Sequence, residues 1–353
     1  MKILHIVECF GGGVYDFIKN LTYDMNEYEI TILYGDRGEL KTNFKSDFNE
    51  NIKFIKWENA QREISFFKDL KALKEVIKIL KREKYDVIHL HSSKAGFLGR
   101  IGAKLIGQSR KIIYTTHGIS FLRQDVSNIK LKLFILLEKI GEFCGGQTIA
   151  CSKSEADFIR SKGINCDYIN NGIKIDENFI KQSKKDDITR IINVGRITEQ
   201  KNPRLFNEIA QKYIENPKVK FIWVGDGEDR KLLSSENIEV TGWLSQEQVR
   251  ERLKSADIYL STSKWEGLSL AILQAMNYEL PLVLSNCVGN IDLVEEGNNG
   301  NIYTEINEGI EKINKIKLDQ GKKSLILLKE NFNIENMIKN YKEEYFKVKG
   351  KNI

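Results

Sequence analysis

Two doubly wound α/β units, each a parallel sheet covered by helices on both faces, are what this sequence predicts. Three observations carry that reading. Short β-rich apolar runs alternate with helical patterns from one end of the chain to the other, the signature of strand–helix–strand crossovers. The alternation runs twice, and the polar segment 174–189, rich in Lys, Asp and Ser, separates the two rounds. Finally, 353 residues is long for one such unit and comfortable for two, each with its own core.

In the first round, residues 3–7, 29–34, 52–55, 86–91 and 111–115 read as strands. Each is a brief run dominated by Ile, Val, Leu and Tyr, as buried parallel strands are. Residues 15–25, 66–82 and 95–106 read as helices; in 66–82, Leu70, Leu73, Ile77 and Leu80 recur at helical spacing. In the second round, 190–194, 219–224, 238–241, 258–261 and 282–285 are strands, with helices over 203–213, 246–254 and 270–277. After Tyr303 three helical patterns close the chain, and the last, 334–348, is expected to pack back on the first unit. The domains so defined are 1–175, 176–332 and a terminal helical segment 333–353.

The composition excludes several classes. Hydrophobic residues make up 41% and charged residues 29%, so the chain is not a disordered one. The opening apolar run 3–7 is too short for a signal peptide and reads as a strand. The most apolar stretch, 131–140, is interrupted by Lys132, Glu138 and Lys139, so no spanning helix is expected and the protein reads as soluble and cytosolic. Five widely spaced cysteines (Cys9, Cys144, Cys151, Cys166 and Cys287) contain no CxxC, which fits reduced thiols and neither a disulfide framework nor a zinc ribbon. His89 and His91 share one face of a strand, but nothing near them completes a ligand set, so they read as buried histidines and no metal is expected.

The net charge of +6 falls mostly on residues 1–180, which hold 28 Lys and Arg against 23 Asp and Glu. The excess is too diffuse for a nucleic-acid grip, and no base-reading motif accompanies it. Much of it lies on Lys68, Lys71, Lys74, Lys78, Lys81, Arg82 and Lys84 around the apolar stripe of helix 66–82. A basic amphipathic helix can lie on an anionic leaflet; a sheet-covering helix with a lysine-rich solvated face has the same pattern.

Ligands of open α/β sheets bind outside the carboxyl ends of the strands, and two sheets facing a shared cleft would bring those ends together. The chemistry-bearing segments all fall there. Gly11-Gly12-Gly13 follows the first strand and opens a helix, so it serves either close backbone approach to a polar ligand or a tight turn. It is not a dinucleotide fingerprint, because the third glycine position is Asp16. Thr115-Thr116-His117-Gly118 ends another strand and sets a histidine at the edge. Gly195-Arg196 opens the loop after the first strand of the second unit, with Lys201 five residues on; Arg and Lys before a helix N-terminus suit a diphosphate. Gly225-Asp226-Gly227 ends the next strand and is either a nucleotide approach or a turn. Trp265 to Met276 carries Glu266 and Gly267 just ahead of a helix, where free backbone N–H groups face an anion and Glu266 can accept from sugar hydroxyls. Gln274 lies eight residues beyond Glu266, and Gly289-Asn290 is expected to open a further helix.

With those pieces in order along the chain, the sequence resembles the retaining glycosyltransferases of the GT-B superfamily, specifically glycosyltransferase family 4, also called glycosyl transferases group 1. The match rests on the GGG turn, His117-Gly118, Asn171-Gly172-Ile173, Gly195-Arg196 with Lys201-Asn202, Gly225-Asp226-Gly227, and Glu266-Gly267 through Ala275-Met276. The resemblance implies two Rossmann-like domains, the first holding the acceptor and the second a nucleotide-sugar donor. It assigns Arg196, Lys201, Glu266 and His117 to catalysis, and Gly12, Gly13, Gly118, Gly225, Leu244, Gly267, Leu268, Ser269, Leu270 and Gln274 to substrate binding. It implies retention, no metal, a UDP-sugar donor and a lipid-linked saccharide acceptor at the cytoplasmic membrane face, as in capsule, exopolysaccharide or O-antigen assembly. One position departs from the pattern: Gln274 stands where the family has its second glutamate. A UDP-N-acetylglucosamine 2-epimerase and a catalytically silent subunit of the same fold are the alternative readings.

Overall fold

The computed structural model describes residues 1–350 apart from Glu39, Arg62 and 182–185. Part of the expected linker 174–189 and the last three residues of the expected terminal segment therefore lie outside the described residues. The chain forms two compact units, one of Met1–Leu122, Val126–Asn171 and Ile334–Ile353, the other of Arg123–Asp125 and Gly172–Asn333.

The first unit runs β1 (Lys2–Val7), α1 (Gly12–Thr22), β2 (Glu29–Tyr34), β3 (Lys53–Lys56), α2 (Phe66–Arg82), β4 (Val87–His91), α3 (Ser92–Leu105), β5 (Ile112–Thr115), α4 (Asn128–Cys144), β6 (Gln147–Ala150), α5 (Lys153–Arg160) and β7 (Asp167–Tyr168). Its seven strands are all parallel, in the order β3-β2-β1-β4-β5-β6-β7, with the crossover point between β1 and β4. The second unit runs β8 (Thr189–Val194), α6 (Pro203–Gln211), β9 (Val219–Val224), β10 (Ile238–Val240), α7 (Gln246–Lys254), β11 (Ile258–Ser261), α8 (Leu270–Asn277), β12 (Leu282–Ser285), β13 (Gly300–Tyr303), α9 (Ile306–Lys315) and α10 (Gln320–Asn331). Its six parallel strands follow β10-β9-β8-β11-β12-β13. The last helix, α11 (Ile334–Gly350), belongs to the first unit: Met337, Ile338, Tyr341, Tyr345 and Val348 form a stripe at helical spacing in the same core as Phe17 and Ile18 of α1.

All ten expected strands and three of the six expected helices between strands match to the residue or within one residue at each end. Others shift for local reasons. The helix expected from residue 15 begins at Gly12, because Gly11 is extended and caps it. The helix expected from residue 95 begins at Ser92, directly after β4, through a left-handed Ser92. Strands β6, β7 and β13 and helices α4 and α5 carried too little periodicity to be read: β7 is two residues long, and α4 is apolar around its whole circumference. Gly289-Asn290 does not open a helix. Only a single 3-10 turn, Ile291–Leu293, follows, because Val294 returns to extended geometry and the Asn290 amide turns inward to Ser285 instead of capping.

The centre of the first unit is polar. His5 of β1, His89 and His91 of β4 and His117 after β5 all sit together beneath α1 and α11. His5 Nδ1 pairs with His91 Nε2 at 2.9 Å, and His91 Nδ1 with His117 Nε2 at 3.0 Å. His89 bonds Tyr345 Oη and Thr115 Oγ1, both at 2.7 Å, and Thr115 Oγ1 reaches Tyr341 Oη at 3.0 Å. The expectation that nothing completes a ligand set beside His89 and His91 is corrected here: His5 does, with one ring nitrogen from each of the three within 4.8 Å of the others. The parallel register pairs His5 directly with His89, a neighbourhood that their wide separation in sequence concealed. Both ring nitrogens of His89 and of His91 are already committed to hydrogen bonds.

Burial holds all four imidazoles in the neutral form. It brings His5 and His117 down to about 3, and puts His89 and His91 well below their usual value. In the unfolded chain each titrates near 6.5. The unfolded state therefore binds more protons below that pH, and stability present above about 6.5 is lost as the pH falls toward 3. Between pH 7 and pH 5 each histidine that stays neutral should cost about 2 kcal/mol of stability. Urea midpoints measured at the two pH values should drop accordingly; equal midpoints would show that the folded histidines carry protons.

Candidate active site

The second unit builds its site from loops at the carboxyl ends of β8, β9, β11 and β12. The backbone comes first. Gly195 ends β8, and Gly225 ends β9 with φ +139; a Cβ on Gly225 would lie 2.2 Å from the Gly195 carbonyl oxygen. Gly227 is equally pressed, its would-be Cβ 2.2 Å from the Ile197 oxygen. Gly195 N donates to Val224 O, Ile197 N to Asp226 O, and the buried Trp223 indole to Gly195 O at 2.9 Å. Gly225 is also bridged to Gly242, which sets the Gly242–Leu244 loop alongside; there Leu244 is half-buried and Trp243 is exposed.

That packing presents the charged side chains. Arg196 is exposed on the loop, while Lys201 lies in a 3-10 turn closed by a left-handed Asn202 that caps α6 with Pro203 at its first position. Thr262 pins the turn, donating to the carbonyls of Lys201 at 2.8 Å and Asn202 at 3.1 Å. Lys201 Nζ then meets Glu266 Oε1 at 2.6 Å, with side chains only 17% and 8% exposed. Gln200 Nε2 holds the Trp265 carbonyl at 2.9 Å and touches Glu266 Oε2 at 3.5 Å. A half-desolvated cation–carboxylate pair of this kind keeps both charges and their directions fixed.

Gly267, Leu268 and Ser269 are buried and lead into α8, whose N-cap residue Ser269 makes no side-chain cap bond. The first turn of α8, beginning at Leu270, thus has its positive dipole end next to the Lys201–Glu266 pair. Gln274 lies half-buried on the same helix. Gly289, at φ +84, backs onto this segment, its would-be Cβ 2.6 Å from the Gly267 oxygen. Beneath runs a polar seam that the sequence did not reveal. Asn290, fully buried, donates to Ser285 O at 3.0 Å and Ser261 Oγ at 3.3 Å, and Ser285 Oγ donates to Ser263 O at 2.6 Å.

The other sequence-selected residues lie in the first unit, at the carboxyl ends of β1 and β5. Gly12 and Gly13 are exposed, and Gly12 is left-handed at φ +52, with open space where a side chain would be. His117 is itself left-handed, at φ +53. Its Nε2 is turned to His91 and its Nδ1 to Cys151 Sγ at 3.6 Å, with the ring edge-on to Phe17 at 4.5 Å. Gly118 follows at φ +84. The residue that fixes this turn escaped sequence reasoning. Glu155, fully buried, accepts from Thr116 Oγ1, Gly118 N and Ile119 N on Oε1 at 2.8–3.0 Å, and from Cys151 N on Oε2 at 2.8 Å. Burial pushes its carboxyl up, and those four donors pull it back. Ser152 caps α5 by accepting from Glu155 N, so the Ser-x-x-Glu spacing was a signal available for it.

Two parallel Rossmann-like units, with a fixed cation–carboxylate pair at a helix N-terminus, define the GT-B class of glycosyltransferase. Residues 14–177 match the model described as Glycosyltransferase Family 4, and residues 174–337 that of Glycosyl transferases group 1. An Escherichia coli protein named UDP-Gal:alpha-D-GlcNAc-diphosphoundecaprenol alpha-1,3-galactosyltransferase is 31% identical over 90% of this chain and 89% of its own. The Staphylococcus aureus capsular polysaccharide biosynthesis glycosyltransferase CapM is 25% identical over 88% and 87%. Among solved structures, Anabaena HepE in complex with UDP and glucose superposes with TM-score 0.75 at 19% identity, covering 98% of this chain and 99% of that one. The chain belongs to glycosyltransferase family 4 and is a glycosyltransferase; the epimerase and silent-subunit readings give way to that assignment.

The backbone contact at Gly225 gives a prediction that needs no substrate. Gly225→Ala must relieve both a 2.2 Å overlap and a strained φ, and should cost about 3 kcal/mol. Urea unfolding followed by tryptophan fluorescence checks it; an unchanged midpoint would show that the two loops do not pack backbone to backbone.

Proposed function

We propose that the chain transfers a hexosyl or N-acetylhexosaminyl group from a UDP-sugar to a lipid-linked saccharide, with retention of configuration, in capsule, exopolysaccharide or O-antigen assembly. The observation that carries the reading is the Lys201–Glu266 pair beside the N-terminus of α8. The name of the E. coli relative supports a UDP-sugar donor and a diphosphoundecaprenol-linked acceptor, and the UDP complex of HepE supports the same nucleotide.

In this reading Lys201 and Arg196 neutralise the charge that develops on the departing UDP, an electrostatic contribution usually among the largest in catalysis. Glu266, steered by Lys201, accepts from donor-sugar hydroxyls. Backbone N–H groups from Gly267 to Leu270 hold the sugar and phosphate, Gly225 and Leu244 lie along the nucleotide, and Gln274 reaches the ribose. Gly12, Gly13, Gly118 and His117 meet the acceptor and the transferred sugar, with work done at the cytoplasmic face of the membrane, where cationic α2 contacts anionic lipid. The reaction proceeds without metal in this reading: side-chain cations and the helix dipole supply the charge, and the ring nitrogens of His89 are bonded to Tyr345 and Thr115 and those of His91 to His5 and His117.

Lys201→Ala and Arg196→Ala should each reduce UDP release from the donor by roughly 100-fold or more. The same assay should be indifferent to EDTA. Near wild-type rates in both folded variants would refute the diphosphate assignment, and loss of activity in EDTA restored by Mg²⁺ would refute metal independence.

Gln274 tests the nucleotide side. A carboxylate accepting from two ribose hydroxyls makes charge-assisted bonds about 1 kcal/mol better than neutral ones, less the repulsion of a nearby diphosphate. Calorimetry with UDP should therefore show Gln274→Glu binding as well as wild type or better, and Gln274→Ala several-fold weaker. Three equal affinities would remove Gln274 from the ribose site.

A further inference from the structure

Helix α4 is built the wrong way round for a helix that covers a sheet. Its two fully buried positions are Glu138 and Gly141, while most of its large apolar residues face outward. Glu138 accepts from Tyr114 Oη at 3.0 Å and sits 3.9 Å from Arg100, whose guanidinium covers the Tyr114 ring at 4.5 Å and donates to Thr148 Oγ1 at 2.6 Å. Gly141 lets Arg100 pass, since a Cβ there would lie 3.2 Å from its Nη1. The fully buried inner positions of α4 are thus taken by a polar network, with Leu131, Phe134 and Ile135 half-buried around it.

On the outer side Ile129, Leu133, Leu136, Ile140 and Phe143 are all exposed, from 40% to 83%. At about 100° per residue, all five lie within about 40° of the direction opposite Glu138. They form one continuous apolar ridge on a helix of 17 residues, about 25 Å long. Lys132 and Lys139 flank the ridge on one side and Lys130 on the other, all exposed. Lys104 of α3 lies 5.7 Å from the Phe143 ring. The layer continues in cations, for α4 packs on α3 and α3 on α2; residues 66–111 hold twelve Lys and Arg against four Asp and Glu.

We propose that this outward face of α4 docks the first unit on an anionic lipid surface, the ridge entering the interface and the flanking lysines meeting phosphate headgroups. An apolar ridge bordered by lysines is the pattern of a helix lying in the plane of a membrane interface. A second copy of the chain fits less well, because a two-fold contact along the ridge would bring the lysine flanks of the two copies together. Docking places acceptor chemistry at a bilayer, and so adds a purpose to the transferase reading, but it can be measured without donor or acceptor.

The experiment is flotation of the purified chain with vesicles of phosphatidylcholine alone or with added phosphatidylglycerol. Wild type should float with the anionic vesicles, less so as salt rises, and stay behind with the neutral ones. Leu136→Ser/Ile140→Ser and Lys130→Glu/Lys132→Glu/Lys139→Glu should each weaken binding by about tenfold or more. Phe143→Ser, in the last turn, should weaken it in the same direction without touching the middle of the helix. UDP affinity measured alongside should be unchanged in all of them, which keeps folding and the donor site separate from docking. Ridge variants that float like wild type would overturn the proposal. So would loss confined to Lys71→Glu/Lys74→Glu/Lys78→Glu on α2, or sedimentation showing a dimer that the ridge variants dissociate while wild type ignores vesicles.

Discussion

Carbonyl oxygens that can be approached only by glycine set the geometry of the second unit. Gly225 and Gly227 lie against the backbone of the loop after β8, and Gly289 against the backbone of Glu266 and Gly267. Each contact brings the ends of neighbouring strands a side chain's width closer than ordinary packing permits. The Lys201–Glu266 bond at 2.6 Å follows from that closeness, because the turn carrying Lys201 is held to Thr262 of the adjoining segment. Three weak glycine signals in the sequence are in this sense one structural requirement. It places charge at a helix N-terminus, with the side chains of Thr262, Gln200 and Trp223 fixing the loops from behind.

The first unit solves the equivalent problem with buried polar groups. Glu155 fixes the backbone of Thr116 to Ile119 with three bonds to one oxygen, and His117 accepts a left-handed conformation that costs a non-glycine residue of order 1–3 kcal/mol. The chain of imidazoles behind it fixes which nitrogens donate, since a neutral ring offers one donor and one acceptor. With His5, His91 and His117 joined in series, the tautomer of each constrains the next. A proton arriving on His117 would break that order, and burial opposes it. His117 is therefore held as a neutral, oriented ring, with Nε2 on His91 and Nδ1 toward Cys151 Sγ.

Much of this was legible in the sequence. The alternation of apolar runs and helical patterns gave the two parallel sheets, and motif order gave the family, because both depend on local chemistry spread along the whole chain. Lys201, Glu266 and Gly225 lie at strand ends that could be located from the runs preceding them. What stayed hidden depends on register. His5 meets His89 only because β1 and β4 are parallel neighbours, and Glu155 reaches Gly118 across 37 residues. Asn290 was misread for a similar reason: its partners Ser261 and Ser285 lie on two other strands, and without them it looks like a helix cap. Helix α4 was missed altogether, as its apolar residues fall on every face and leave no period to detect.

That last failure is itself informative. A surface helix normally buries its apolar side and wets its polar one, and local patterning then agrees with the global fold. In α4 the two disagree, with Glu138 inside and five large aliphatic or aromatic residues outside. Burying Glu138 beside Arg100 is costly to arrange, and removing either partner would strand a charge. The fully buried side chain of α4, Glu138, is polar and its most exposed large residues are apolar, the reverse of ordinary surface-helix patterning. The proposed docking supplies the ridge with surroundings other than water. Five exposed side chains that are a liability to the isolated fold in water become an asset at an apolar interface, which is the setting the docking proposal gives them.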